Sequence, residues 1–258
     1  MTDVVPAVRL AIGGAPQAQI NGLSGVFEHQ KPALLVSYFY YKNFAAIRNE
    51  CTFRDYVMDS GAFSAFNSGK QIDLSQYIDF CAKLLREDRK LSEVFALDVI
   101  GDPAASARNC EEMHRQGVPA IPTFHYGTDF AVLEDLCKRY PKVALGGMVG
   151  KPLKSKALID RFVGQCFARV WPKKLHGFGL ASEELWNRYP FHSTDATTWV
   201  LRPSAYGTWR SYGGKTKGLS VRGGNQKLRI EVDWYLKQER QLQARWRKQM
   251  GELEKVKP

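Results

Sequence analysis

The feature that most constrains this chain is an alternation, repeated along most of its length, of short apolar runs with longer amphipathic stretches. The runs are VRLAI (8–12), ALLVSYF (33–39), YVMD (56–59), VFALD (94–98), AIPTF (120–124), VALGG (143–147), LHGFG (175–179) and FHSTD (191–195), each of strand length. Between most of them lie stretches such as Leu74 to Arg86, Ala104 to Gln116, Phe130 to Tyr140 and Leu153 to Val170, whose apolar residues recur at three- and four-residue intervals and so fall on one helical face. Strands that alternate with helices argue for a parallel sheet with helices packed on it. Helix starts are marked by Asp73, by Asp102 before Pro103, and by Thr128 or Asp129, residues that accept hydrogen bonds from the free N–H groups of a first turn. Eight such units predict an α/β fold, a (β/α)8 TIM-type barrel. An open doubly wound sheet is the rival, but GGAP at 13–16 is only a weak echo of its glycine-rich phosphate-binding turn.

A chain of 258 residues suits one such barrel, for which about 250 residues is typical, so residues 1–258 are read as a single domain. Two segments are appended to it. Residues 206–225 form a basic loop rich in glycine and aromatic residues, and 226–256 form a C-terminal helix, with Leu228, Val232, Tyr235, Leu242, Trp246 and Leu253 on its docking face. The formal charge of +11 favours an anionic polymer or surface as partner without choosing between them. No apolar run approaches the roughly 20 residues that cross a bilayer, and MTDVVPAVRL lacks a signal-peptide pattern. The expectation is a cytoplasmic protein with no membrane partner. The cysteines at 51, 81, 110, 137 and 166 include no CxxC pair, which argues for reduced thiols; the last four fall in predicted helices, where they serve as small apolar packing residues.

In a parallel barrel the C-terminal strand ends converge on one mouth, where enzymes of this architecture place their sites. Here those ends carry Asp59 with Ser60 and Gly61, Asp98 with Asp102 nearby, His125, the pair Gly146 and Gly147, and Asp195. Any one aspartate is as well explained as a cap or turn residue, and Asp102 before Pro103 is read as one. Three carboxylates ending three strands are more acid than turns require, and packed carboxylates shift one another's pKa and can divide acid and nucleophile roles. His176 and His192 fall within predicted strands and are read as structural.

Four motifs in order along residues 56–200 carry a resemblance. MDSGAF (58–63) resembles the DSGGF motif of the tRNA-guanine transglycosylases, FALD (95–98) their base-recognition strand, ALGGMVG (144–150) their glycine pair and STDATTW (193–199) their nucleophile segment. The resemblance implies that Asp195 attacks the anomeric carbon of a guanosine and forms a covalent glycosyl-enzyme. Asp59 would protonate the departing purine and deprotonate the incoming one. Ser60 would steady the purine, Asp98 would accept from its N–H groups, and the Gly147 backbone N–H, beside Gly146, would donate to its carbonyl oxygen. Phe63 stands where the family stacks an aromatic ring, though an aromatic there also suits a core. His125 stands where the family reads the base, and equally suits a structural role.

The departures from the family narrow the expectation. No cysteine follows Asp195, so the family's late zinc motif is missing and no metal or other cofactor is expected. Ala62 replaces the second glycine of DSGGF, which leaves the turn possible but bears on how the base is held. A compact, zinc-free chain is similar to the bacteriophage and bacterial branch that inserts 7-deazaguanine bases into DNA. The implied partners are DNA, with tRNA as the alternative, and a free 7-deazaguanine base, with accessory DNA-modification proteins. Trp209, Arg210, Tyr212, Lys215, Lys217 and Arg222 would contact the nucleic acid, the cations on phosphates and the aromatics on unpaired bases; a solvated basic loop is the plainer alternative. Two other readings keep the barrel: an N-glycosidase using water as acceptor, and an inactive barrel that binds nucleic acid.

Overall fold

A computed structural model describes residues 6–25, 27, 30–148, 155–205 and 224–255. The strands are β1 (Ala7–Ile12), β2 (Ala33–Ser37), β3 (Tyr56–Asp59), β4 (Leu91–Phe95), β5 (Ala120–Ile121), β6 (Thr123–His125), β7 (Lys142–Gly146), β8 (Lys174–Gly177) and β9 (Ser193–Ala196). All pair in parallel, in the order β5-β4-β3-β2-β1-β9-β8-β7-β6. The two ends of that order are halves of one extended segment interrupted at Pro122, which has no N–H to give a ladder. Ile121 accepts from the Ala96 N–H on one side (2.9 Å), and Pro122 accepts from the Ala144 N–H on the other (2.8 Å), so the segment closes the sheet into an eight-stranded barrel. The predicted (β/α)8 architecture is the one observed.

The helices are α1 (Pro16–Leu23), α2 (Tyr41–Ile47), α3 (Ala62–Asn67), α4 (Leu74–Glu87), α5 (Pro103–Arg115), α6 (Phe130–Arg139), α7 (Lys156–Val170), α8 (Glu183–Arg188), α9 (Thr198–Ala205) and α10 (Gly224–Lys255). The predicted caps hold: Asp73, Asp102 and Asp129 accept from the N–H groups of Gln76, Ala105 and Ala131, each at 2.9 Å. Several strands end earlier than the apolar runs suggest, β7 at Gly146 and β8 at Gly177 among them. Tyr38–Tyr40 turn into a 3-10 segment, and β4 stops at Phe95, so Ala96 to Asp98 lie beyond the ladder.

Period-two alternation sends one set of side chains inward and the other against the helices. Ala11, Leu35, Val57, Phe95, Ile121 and Ala144, one from each of six strands, form the apolar layer inside the barrel. Two larger clusters lie between strands and helices, and they take in Cys81, Cys110, Cys137 and Cys166, as their helical spacing predicts. Helix α10 buries Leu228, Val232, Tyr235, Leu242 and Trp246; the side chain of Leu253 is outside the described ones. From the same helix the buried Glu239 accepts from the Val8 N–H (3.0 Å) and pairs with Arg54 (2.9 Å) beside the start of β3.

The N-terminal end of the barrel is filled by ions. Arg9 pairs with Asp55 at 2.6 Å, and Lys142 on β7 reaches Glu93 on β4, also at 2.6 Å. Burial lowers the Lys142 ammonium to about 8 despite Glu93 beside it. His192 belongs to this end; burial and then the Lys142 charge keep its ring neutral. A buried pair of this kind contributes little net stability but is costly to break from one side.

Candidate active site at the barrel mouth

Asp59 ends β3, and the turn after it fixes its carboxyl: Oδ2 accepts from the Gly61 N–H at 2.9 Å. Gly61 has φ +76, and a Cβ there would lie 2.2 Å from Ser37 Oγ and 2.7 Å from Phe39 Cβ. The turn therefore needs glycine at 61, whereas Ala62 is the first residue of α3, so the turn forms with alanine in place of the second glycine of DSGGF. Ser60 is buried, and its Oγ accepts from the Ala62 N–H at 3.3 Å.

Burial pushes the Asp59 carboxyl up to about 7; the Gly61 N–H opposes this and the charges of Asp98 and Asp195 add to it. Asp59 thus lies within electrostatic reach of both Asp98 and Asp195. Asp195, on β9, is 6% exposed. Its Oδ1 accepts from the Gly179 N–H at 2.8 Å, and burial, against that hydrogen bond, raises its pKa to about 7 as well. Two carboxyls poised near neutrality at the ends of β3 and β9 can hold one proton and one charge between them at neutral pH, which is what an acid and a nucleophile require.

Asp98 lies three residues past the end of β4. Its Oδ2 sits 3.4 Å from His125 Nε2, while Asp98 Oδ1 and His125 Nδ1 are buried without a protein partner. The adjacent glycines are both sterically required: a Cβ on Gly146 would lie 2.7 Å from Thr123 Cγ2, and Gly147 has φ +75 with Tyr126 N 3.1 Å from a Cβ position. Backbone is thus exposed where a side chain would otherwise stand. Phe63, 49% exposed, is in the first turn of α3 and does not pack in the core. Asp102 acts as a helix cap, as its place before Pro103 suggests.

The structure thus brings together Asp59, Asp98, Asp195 and His125, with Ser60, Gly146 and Gly147 holding the loops around them. Trp209, Arg210, Tyr212, Lys215, Lys217 and Arg222 lie outside the described residues. His176, read as structural, lies beside Asp195. It is fully buried, with Nδ1 2.8 Å from Ser193 Oγ and Nε2 3.4 Å from Asp195 Oδ1. The signal that could have found it is positional: His176 pairs with Ser193 across β8 and β9, two residues before Asp195 on the same face. Among the described residues no three His, Cys, Asp or Glu side chains are grouped as metal ligands would be, and no helix is long and apolar enough to cross a membrane.

The sequence matches no family model and no curated protein. Among solved structures the chain is similar to a Coccidioides immitis protein provisionally assigned as a fructose-1,6-biphosphate aldolase, with a TM-score of 0.52 and 10% identity over 93% of this chain and 90% of that one. It is also similar to the YdjI aldolase from Escherichia coli K12, with a TM-score of 0.46 and 9% identity over 93% and 91% of the two chains. At 10% identity the likeness to the first is one of barrel fold alone, and nothing rests on the second.

Proposed function

We propose that this protein is a base-exchange glycosyltransferase that replaces guanine in DNA with a 7-deazaguanine derivative, such as 7-cyano-7-deazaguanine. The observation that carries the reading is the pair of carboxyls, Asp59 and Asp195, each raised to about 7 by burial at the ends of two strands of one mouth. Ionised Asp195 attacks C1′ of the target nucleotide; the C1′–N9 bond breaks, its electrons leave with the purine, and protonated Asp59 supplies the proton. The incoming base loses its own N–H proton to Asp59 and displaces Asp195 from C1′, so the cycle closes with the proton back where it began.

The surroundings fit a guanine-type base. The unpartnered Oδ1 of Asp98 is an acceptor for the N–H groups of a guanine edge. The backbone at Gly146 and Gly147, cleared of side chains, allows an N–H to approach the base's carbonyl oxygen. His125, held at Asp98, reads the same edge, and the exposed ring of Phe63 offers a stacking face. The net charge of +11 draws in a polyanion despite three acids at the mouth. A target base in duplex DNA has to leave its stack to reach a barrel mouth, and the basic aromatic segment 206–225 is assigned to that opening.

The test is to incubate the protein and its Asp195→Ala variant with duplex DNA, single-stranded DNA or tRNA together with 7-cyano-7-deazaguanine, and to read nucleosides by mass spectrometry. A 7-deazaguanine deoxynucleoside formed from DNA only by the unaltered protein is the expected result. Modified tRNA would move the enzyme to the RNA branch, abasic sites would make it an N-glycosidase, and no product on any polymer would overturn the reading.

A further inference from the structure

We infer that His176 is a positioning residue for Asp195: with the Gly179 N–H it holds Oδ1, leaving Oδ2 as the oxygen that forms the bond to C1′. The inference rests on Asp195 being the nucleophile. The Gly179 N–H donates to Asp195 Oδ1 at 2.8 Å, and His176 Nε2 lies 3.4 Å from the same oxygen without completing a hydrogen bond to it or to any other atom. The ring cannot turn away. Ser193 Oγ holds Nδ1 at 2.8 Å, and Phe95 and Phe178 flank the imidazole with centroids 4.7 Å away in each case. No part of it reaches solvent.

The charged groups around the ring decide what it can do. Lys142 from β7 and Arg9 from β1 add to burial in keeping it neutral, and Glu93 from β4 opposes them; Asp195 and Ser193 face it from β9, and Asp59 faces Asp195 from β3. A neutral imidazole donates from one nitrogen and accepts at the other, and a serine hydroxyl serves as either partner. With Ser193 O–H donating to Nδ1, the unsatisfied Nε2–H lies beside Asp195 Oδ1, the acceptor on which it closes when the carboxylate is ionised. That donor favours the carboxylate over the acid, as a hydrogen bond to a charged form does. When Oδ2 bonds to C1′, Oδ1 becomes the ester carbonyl oxygen and keeps the Gly179 donor, with the Nε2–H beside it; when the incoming base attacks C1′, the C1′–Oδ2 bond breaks and its electrons return to the carboxylate.

The experiment is a pH titration of the Asp195 carboxyl by carbon NMR on the substrate-free full chain, its signal assigned by its loss in Asp195→Asn. In His176→Phe, which keeps an aromatic ring between Phe95 and Phe178, Asp195 is expected to titrate about one pH unit higher, the scale of one lost hydrogen bond to a charged group. His176→Gln, which retains an amide donor, is expected to restore most of the shift, and the acid limb of glycosyl-enzyme formation should move with it. If His176→Phe does not fold, Ser193→Ala, which frees the tautomer, is read in its place and should shift the titration the same way by a smaller amount. An unchanged Asp195 titration in the folded variant overturns the positioning role. Because no substrate enters the titration, a shifted carboxyl in a protein that exchanges no base overturns the proposed function while leaving the His176–Asp195 coupling in place.

Discussion

Replacing Asp195 by asparagine should stabilise the protein, and only above a definite pH. Asp195 is 6% exposed, and its carboxyl titrates at about 7 in the folded chain, against about 4 for an aspartate in an unfolded one. The folded state therefore holds a proton that the unfolded state has already lost. Below pH 4 both states are protonated and the site costs nothing. As pH rises from 4 to 7 the unfolded state binds fewer protons and stability falls; above 7 the loss is constant. Three pH units of difference amount to about 4 kcal/mol. Asparagine keeps the shape and an oxygen to accept from the Gly179 N–H, but it never takes the charge. At about 2 cal/mol/K of unfolding entropy per residue, 4 kcal/mol shifts Tm by roughly 7 °C in a chain of 258 residues. Differential scanning calorimetry of both proteins from pH 4 to 9 reads this directly. The Tm advantage of Asp195→Asn should be smallest at pH 4, grow through pH 6 and level off above 7. Loss of the Asp195 charge also lowers the Asp59 pKa, an effect of the same sign. A difference that is flat across the range would refute the argument, because a packing effect of the amide has no reason to follow pH.

Asp59→Asn removes the acid and should slow exchange of guanine by about 10²- to 10⁴-fold, while a 7-methylguanine leaving group, already cationic, should recover much of the loss in a single-turnover assay; equal loss with both would deny Asp59 the proton-transfer role. Gly61→Ala forces a side chain into φ +76 and onto Ser37 Oγ, and should cost about 2–4 kcal/mol in denaturant unfolding together with most activity; a variant of unaltered stability would mean the turn has another solution. Lys142→Ala leaves the half-buried Glu93 without its cation and should cost about 1–3 kcal/mol, whereas Lys142→Met with Glu93→Leu should restore most of it, a contrast read from urea midpoints. Trp209→Ala and Tyr212→Ala should reduce activity on duplex DNA several-fold more than on single strands; equal activity on both substrates would remove the wedge role from the 206–225 loop.

The barrel was legible because its signal is redundant: eight strand runs and the helices between them agree on one period each, and three caps mark the boundaries. What escaped were ends set by tertiary contacts. The run from Val94 to Asp98 reads as a strand, yet past Phe95 the chain leaves the ladder and Leu97 gives its carbonyl to Asn109 Nδ2. AIPTF reads as one strand, and whether Pro122 breaks the ladder or closes the barrel depends on neighbours the sequence does not name. At the site the three aspartates were visible as acids at predicted strand ends. His176 was not, because a histidine inside a strand carries no mark of its partner. Its role depends on the registration of β8 against β9, which sets it beside Ser193 and under Asp195. The Gly179 N–H is less legible still, being backbone that any residue would supply.

The two ends of the barrel treat buried charge in opposite ways, and the contrast bears on function. At the N-terminal end Lys142 meets Glu93 and Arg9 meets Asp55 at 2.6 Å, so each acid has its cation. At the mouth Asp59, Asp98 and Asp195 converge without a lysine or arginine paired to any of them among the described ion pairs; the nearest partners are two histidines, and His176 is kept neutral. Selection for stability alone would have paired these acids or replaced them, since the raised carboxyls of Asp59 and Asp195 lower stability at neutral pH. The same barrel interior solves that problem one layer below. An arrangement that is destabilising, confined to the strand ends and built from groups held near the pKa at which protons are exchanged is what a reacting site looks like before its substrate arrives. In the proposed base exchange, the cationic partner that the described residues do not give these acids would be the positive charge that develops at C1′ as the glycosidic bond breaks.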